Sequence, residues 1–133
     1  MIGLDTNVLL RLLVEDGSSA PQVRAARLLV EGHDKFFISH TVFLETMWVL
    51  ARKYKMPKAG AADIGQRLLS HPKLDIEQRP LMQAAMTLYS SSPGIGFGDA
   101  LALACARAAN IPLHTFDRKL AKLDGARLVP VQP

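Results

Sequence analysis

The strongest constraint on how this chain can fold is a regular alternation of short β-rich apolar runs with longer runs of helical periodicity. Residues 2–4 make a brief apolar run, and over 7–14 the apolar positions Val8, Leu9, Leu12 and Leu13 recur at helical spacing, with Arg11 and Glu15 opposite. Ser19 and Pro21 open a second helix that Gly32 stops, and residues 35–40 form the next β-rich run. A strongly apolar helix is expected over 41–54, closed by basic Arg52, Lys53 and Lys55 and broken at Pro57. A helix over 58–70, an edge strand at 74–77 and a helix opened by Pro80 follow, and the Ser-, Pro- and Gly-rich stretch 90–98 reads as a loop. The remainder predicts an alanine- and leucine-rich helix over 99–109, apolar nearly all round and hence buried. After it come a strand at 112–116, a short basic helix over 118–123 and a closing strand at 127–131.

Five short strands separated by helices predict an α/β fold, because parallel neighbours need crossovers, and crossover helices cover both faces of the sheet. The expectation is a single domain over residues 1–133, built on a mainly parallel sheet of about five strands. With 49% hydrophobic and 21% charged residues the chain is not disordered. Its one cysteine, Cys105, excludes an internal disulfide and a cysteine zinc cluster, and in its run of Ala and Leu it reads as a small core hydrophobe. No uncharged apolar run approaches the roughly 18 residues of a membrane span. The first apolar stretch is interrupted by Asp5 and Arg11, unlike a signal peptide, so a cytoplasmic location is expected.

Parallel α/β sheets bind ligands at the carboxyl ends of their strands, which gives each polar residue a test: does it fall where a strand hands over to a helix? Four of the twelve acids do. Asp5 follows the first strand, Glu45 lies in the first turns of the helix after the second, Asp99 opens the alanine and leucine helix, and Asp117 follows the fourth strand. For each aspartate alone, helix capping is an equally good explanation, and capping is compatible with ligation. Glu45 sits in Val-Phe-Leu-Glu-Thr-Met-Trp-Val-Leu, so either it reaches out to solvent or a cation offsets its presence in an apolar helix. Converging carboxylates stay ionised together only if a cation or protons neutralise them, and oxygen-only donors suit Mg2+ or Mn2+. Such a site suits phosphodiester hydrolysis, in which the ion acidifies water and stabilises charge on the phosphorane. Thr6, Asn7 and Thr115 stand beside these acids, placed either to orient a ligand or to make local turns.

Taken together, Ile2-Gly-Leu-Asp5-Thr-Asn-Val-Leu, Ser39-His-Thr-Val-Phe-Leu-Glu45, Phe97-Gly-Asp99-Ala-Leu-Ala and Thr115-Phe-Asp117-Arg-Lys-Leu resemble the PIN-domain ribonucleases. Within that family the chain is most similar to the virulence-associated protein C (VapC) toxins, over its whole length, order and spacing. The resemblance implies a three-layer α/β/α PIN-like fold and Mg2+- or Mn2+-dependent endoribonuclease activity. It also implies a homodimer, and inhibition by a small VapB-type antitoxin that binds operator DNA. Asp5, Glu45, Asp99 and Asp117 match the family's acidic quartet, with Asp117 at its least uniform position, and Thr115 matches a Ser or Thr two residues before the last acid. Transfer RNA or ribosomal RNA loops are the substrates the family suggests. The alternative is a non-catalytic PIN-like module binding RNA or protein, whose mark would be loss of an acid from the quartet.

Other readings lack a residue. A phosphatase of the haloacid dehalogenase type needs a second acid where Asn7 stands, and a receiver domain needs an acidic pair after the first strand. The four histidines show no metal-binding spacing, and Gly94, Gly96 and Gly98 are not a dinucleotide fingerprint. Arg118 and Lys119, directly after Asp117, are placed to meet an RNA backbone, whereas Arg52, Lys53, Lys55 and Lys58 read as a solvated helix end. Trp48 is read as core, with base stacking or a dimer contact as alternatives. Setting four of the 12 acids aside leaves 16 basic residues against 8, a cationic frame around an acidic pocket.

Overall fold

The computed structural model describes residues 1–15, 17 and 19–133. Among the described residues five strands are interspersed with six helices: β1 (Ile2–Gly3), α1 (Thr6–Leu13), α2 (Ala20–Glu31), β2 (Phe36–Ile38), α3 (His40–Arg52), α4 (Lys58–Ser70), β3 (Leu74–Ile76), α5 (Arg79–Ser91), α6 (Phe97–Ala108), β4 (Leu113–Thr115), a 3-10 turn at Leu120–Lys122, and β5 (Ala126–Leu128). All strand pairs are parallel: Ile2 lies opposite Phe36, Ile38 opposite Ile76, and Thr115 opposite Leu128. The α/β architecture is the one expected, but the ladders form a three-stranded sheet ordered β1-β2-β3 and a separate β4-β5 pair, not one sheet of five. With two residues, β1 offers few ladder positions, and among the described residues its only paired neighbour is β2.

Local chemistry explains most boundaries. Asp5 is extended and its carboxylate accepts the Val8 N–H at 3.0 Å, while the Ser39 hydroxyl does the same for Val42 at 3.1 Å, so both helices start on capping side chains. The sixth helix begins at Phe97 rather than 99, which puts Asp99 in its first turn and leaves Gly96 as the cap. The basic segment expected as a helix over 118–123 is a single 3-10 turn.

The core joins β2, α3, α5 and α6 through Ile38, Phe43, Met47, Leu50, Met82, Met86 and Leu103, all but fully buried. On α4, Gly65 allows close approach: a Cβ there would stand 2.1 Å from Met86 Cε. Helix α3 buries Phe43, Thr46, Met47 and Leu50 and turns Thr41, Glu45 and Trp48 outward, so Trp48 is 59% exposed and not core as expected. The same amphipathic division corrects Cys105, which is exposed because α6 buries Leu101, Leu103, Ala104 and Ala106 instead.

Candidate metal and nucleic-acid site

Three of the four acids follow a strand as expected; Asp99 does not, because α6 follows α5 through a loop and no strand hands over to it. Asp5 lies two residues beyond β1, Glu45 on the exposed face of α3, Asp99 in the first turn of α6, and Asp117 two residues beyond β4. The elements that carry them touch: α3 packs on both α1 and α6, and α6 packs on β4. The Phe43 and Phe97 rings, each two residues before an acid of the set, meet at 5.6 Å between centroids. A second link runs through the α5–α6 loop, where Gly94 (φ 79°) has the Lys119 side chain 2.8 Å from where a Cβ would stand. A side chain at Gly94 would push Lys119 away, so the loop before Asp99 and the segment after Asp117 are shaped to each other.

The four carboxylates differ in how they are held. Asp5 Oδ1 is engaged by the Val8 N–H, and Asp117 Oδ1 accepts from both Lys119 N (2.8 Å) and Leu120 N (3.0 Å). The Asp117 N–H donates to Thr115 Oγ1 at 3.0 Å, so Thr115 sets the turn that carries the acid. Glu45 and Asp99 are exposed, and no described residue hydrogen-bonds to either carboxylate. The ion pairs among the described residues are Arg27–Glu15 and Arg67–Asp63, with His40–Glu77 a third when the imidazole is protonated, and none draws on the four. Among the described residues no three acids, imidazoles or thiols stand in one group close enough to hold an ion. The donors are nevertheless of the type a hard divalent cation takes: four exposed carboxylates, two of them oriented by backbone N–H groups and none paired to a cation among the described residues.

Of the neutral neighbours, Thr6 is buried and packs into the core side of α1, Asn7 is exposed, and Thr115 is half-buried. Arg118 and Lys119 are exposed beside Asp117.

Lys58 is a correction. Expected on a solvated helix end, its ammonium is partly buried and donates to Tyr89 O (2.9 Å), Ser92 O (2.8 Å) and Ile95 O (2.6 Å) while standing 4.3 Å from the Tyr89 ring centroid. Burial pulls its pKa below the ordinary lysine value and pushes the Tyr89 phenol up. Tyr89 packs edge-on against Phe97 at 5.8 Å, so Lys58 ties the end of α5 and the following loop to the start of α6. No sequence signal marks it, since its three acceptors lie 31 to 37 residues away. At the end of β3, Glu77 accepts the His40 N–H at 3.0 Å and pairs with the His40 ring. The backbone bond from His40 holds its carboxyl below the usual range.

A family model described as PIN domain matches residues 2–126. No curated protein matches the chain.

Proposed function

The chain belongs to the PIN-domain family, a nuclease-type fold, and on that premise we propose that it is a Mg2+- or Mn2+-dependent endoribonuclease, the toxin of a VapBC-type toxin–antitoxin pair. The observation that carries the reading is the set of four exposed carboxylates on elements joined in succession, α1 to α3, α3 to α6 and α6 to β4, none drawn into an ion pair among the described residues. Asp5, Glu45, Asp99 and Asp117 would hold the ion. When bound, a divalent ion lowers the pKa of water and stabilises the charge that develops on phosphorus and the leaving oxygen.

The chain's own residues supply positioning. The Val8 N–H fixes one oxygen of Asp5 and leaves the other as a donor, and the Asp117 turn does the same through Lys119 N and Leu120 N. Arg118 and Lys119 offer cations for the phosphates that flank the cleaved bond. As a toxin the protein would act as a homodimer in the cytoplasm on transfer or ribosomal RNA, held inactive by a small VapB-type antitoxin. No described helix is long and apolar enough to cross a membrane.

The test is cleavage of cellular RNA by the purified protein with Mg2+, with Mn2+ and with EDTA. Cleavage that needs the metal and stops in folded Asp99→Asn supports the reading. Equal cleavage by wild type in EDTA, or by the folded variant, overturns it. For the toxin role, expression should arrest growth, and co-expression of a small DNA-binding protein encoded beside it should restore growth. Growth unaffected by the active enzyme would remove the toxin assignment and leave the nuclease.

A further inference from the structure

Beside Asp5 a cavity of about 270 Å3 opens between α1 and α2, walled by Val8, Ala25 and Leu29 and edged by the polar groups of Asp5, Arg11 and Gln22. A small, mostly apolar cavity with a few convergent polar groups has the make-up of a ligand site, and this one has room for about one nucleotide. Arg11 stands six residues beyond Asp5 along α1, on the order of 9 Å at 1.5 Å per residue. Both side chains nevertheless line the same cavity. Arg11 Nε donates to Gln22 Oε1 at 2.8 Å, a bond that takes the Nε hydrogen and does not use the Nη donors. Glu15, which lies just beyond the end of α1, is paired with Arg27.

We propose that this cavity is the subsite for the nucleotide next to the cleaved bond, with the Nη edge of Arg11 on its phosphate and Val8, Ala25 and Leu29 against its sugar and base. A planar two-donor edge matches phosphate oxygens better than an ammonium does, which is why an arginine oriented by a neighbouring amide suits this position. With no aromatic wall the subsite grips the backbone and excludes water without reading one base strongly. Gln22 is a positioning residue that acts through Arg11. The inference rests on the RNA-cleaving reading above.

Two measurements on the intact protein test it. In the first, a 2′-O-methyl RNA that cannot be cleaved is bound in EDTA at several salt concentrations. Arg11→Met weakens binding about tenfold, the expected loss for a hydrogen-bonded charge contact, and flattens the slope of log K against log salt by about 0.7, the share of one phosphate on a single strand. In the second, the same variant raises KM for a cleavable RNA with a smaller effect on kcat. Arg11→Lys restores the salt slope but only part of the affinity, and Gln22→Ala shifts KM in the same direction. If wild type cleaves RNA and folded Arg11→Met and Gln22→Ala keep its KM and salt slope, the subsite is refuted, the nuclease stands, and the cavity belongs to a protein partner or to α1–α2 packing. If wild type neither binds nor cleaves RNA, the nuclease reading fails first.

Discussion

Replacing Lys58 by methionine keeps the stem against the Tyr89 ring and removes the charge that gathers three carbonyls. Two of those acceptors, Tyr89 O and Ser92 O, lie at the end of α5, where the last carbonyls of a helix have no partner within it. The third, Ile95 O, belongs to the loop that leads into α6. Hydrogen bonds to a charged group contribute about 1.5–3 kcal/mol each, so three at the low end of that range sum to roughly 4.5 kcal/mol before desolvation is counted. Desolvation of the ammonium, the effect that lowers its pKa, offsets part of this. A net loss of about 2–3 kcal/mol is expected, or a fall in Tm on the order of 10 °C for a domain of this size. Thermal and urea unfolding followed by circular dichroism measure it. A fall of less than about 2 °C would refute the argument that Lys58 closes the end of α5.

Three further outcomes are expected. Asp5→Asn keeps a good helix cap, so it changes stability by no more than about 0.5 kcal/mol while lowering cleavage roughly 100-fold; a stability loss matching the activity loss would assign Asp5 to capping alone. Thr46 Oγ1 is fully buried with no hydrogen-bond partner among the described residues, so Thr46→Val is neutral or stabilises by up to about 1 kcal/mol in urea unfolding, and a clear destabilisation would mean that the hydroxyl has a partner. The lowered pKa of Glu77 gives stability that is present above the ordinary carboxyl pKa of 4.5 and lost as pH falls through the lower folded value. Glu77→Gln is therefore less stable than wild type at pH 7, and the gap closes in acid; a gap that persists at pH 2 contradicts this origin.

How much of this was legible in the sequence depended on how local the cause was. Asp5 and Asp117 announce themselves because a capping aspartate sits within three residues of the N–H it accepts. Trp48 and Cys105 misled because α3 and α6 carry apolar residues on every side, which hides which stripe is buried. The helical period settles it for α3, since Glu45 and Trp48 are one turn apart on the face opposite Phe43, Met47 and Leu50. The separation of β4-β5 from the other three strands depends on ladders of two or three residues, too short to leave a pattern. Lys58, and the Arg11–Gln22 bond that shapes the cavity beside Asp5, arise from segments brought together only by folding.

The account turns on whether carboxylates from four separate segments share one divalent ion. Binding of Mn2+ to the protein without RNA, followed by the loss of the free-ion paramagnetic signal, tests this directly. Wild type should remove Mn2+ from solution, and Asp5→Asn, Glu45→Gln and Asp99→Asn, each confirmed as folded, should each weaken that binding tenfold or more. Equal Mn2+ affinity in wild type and all three variants would contradict a shared site.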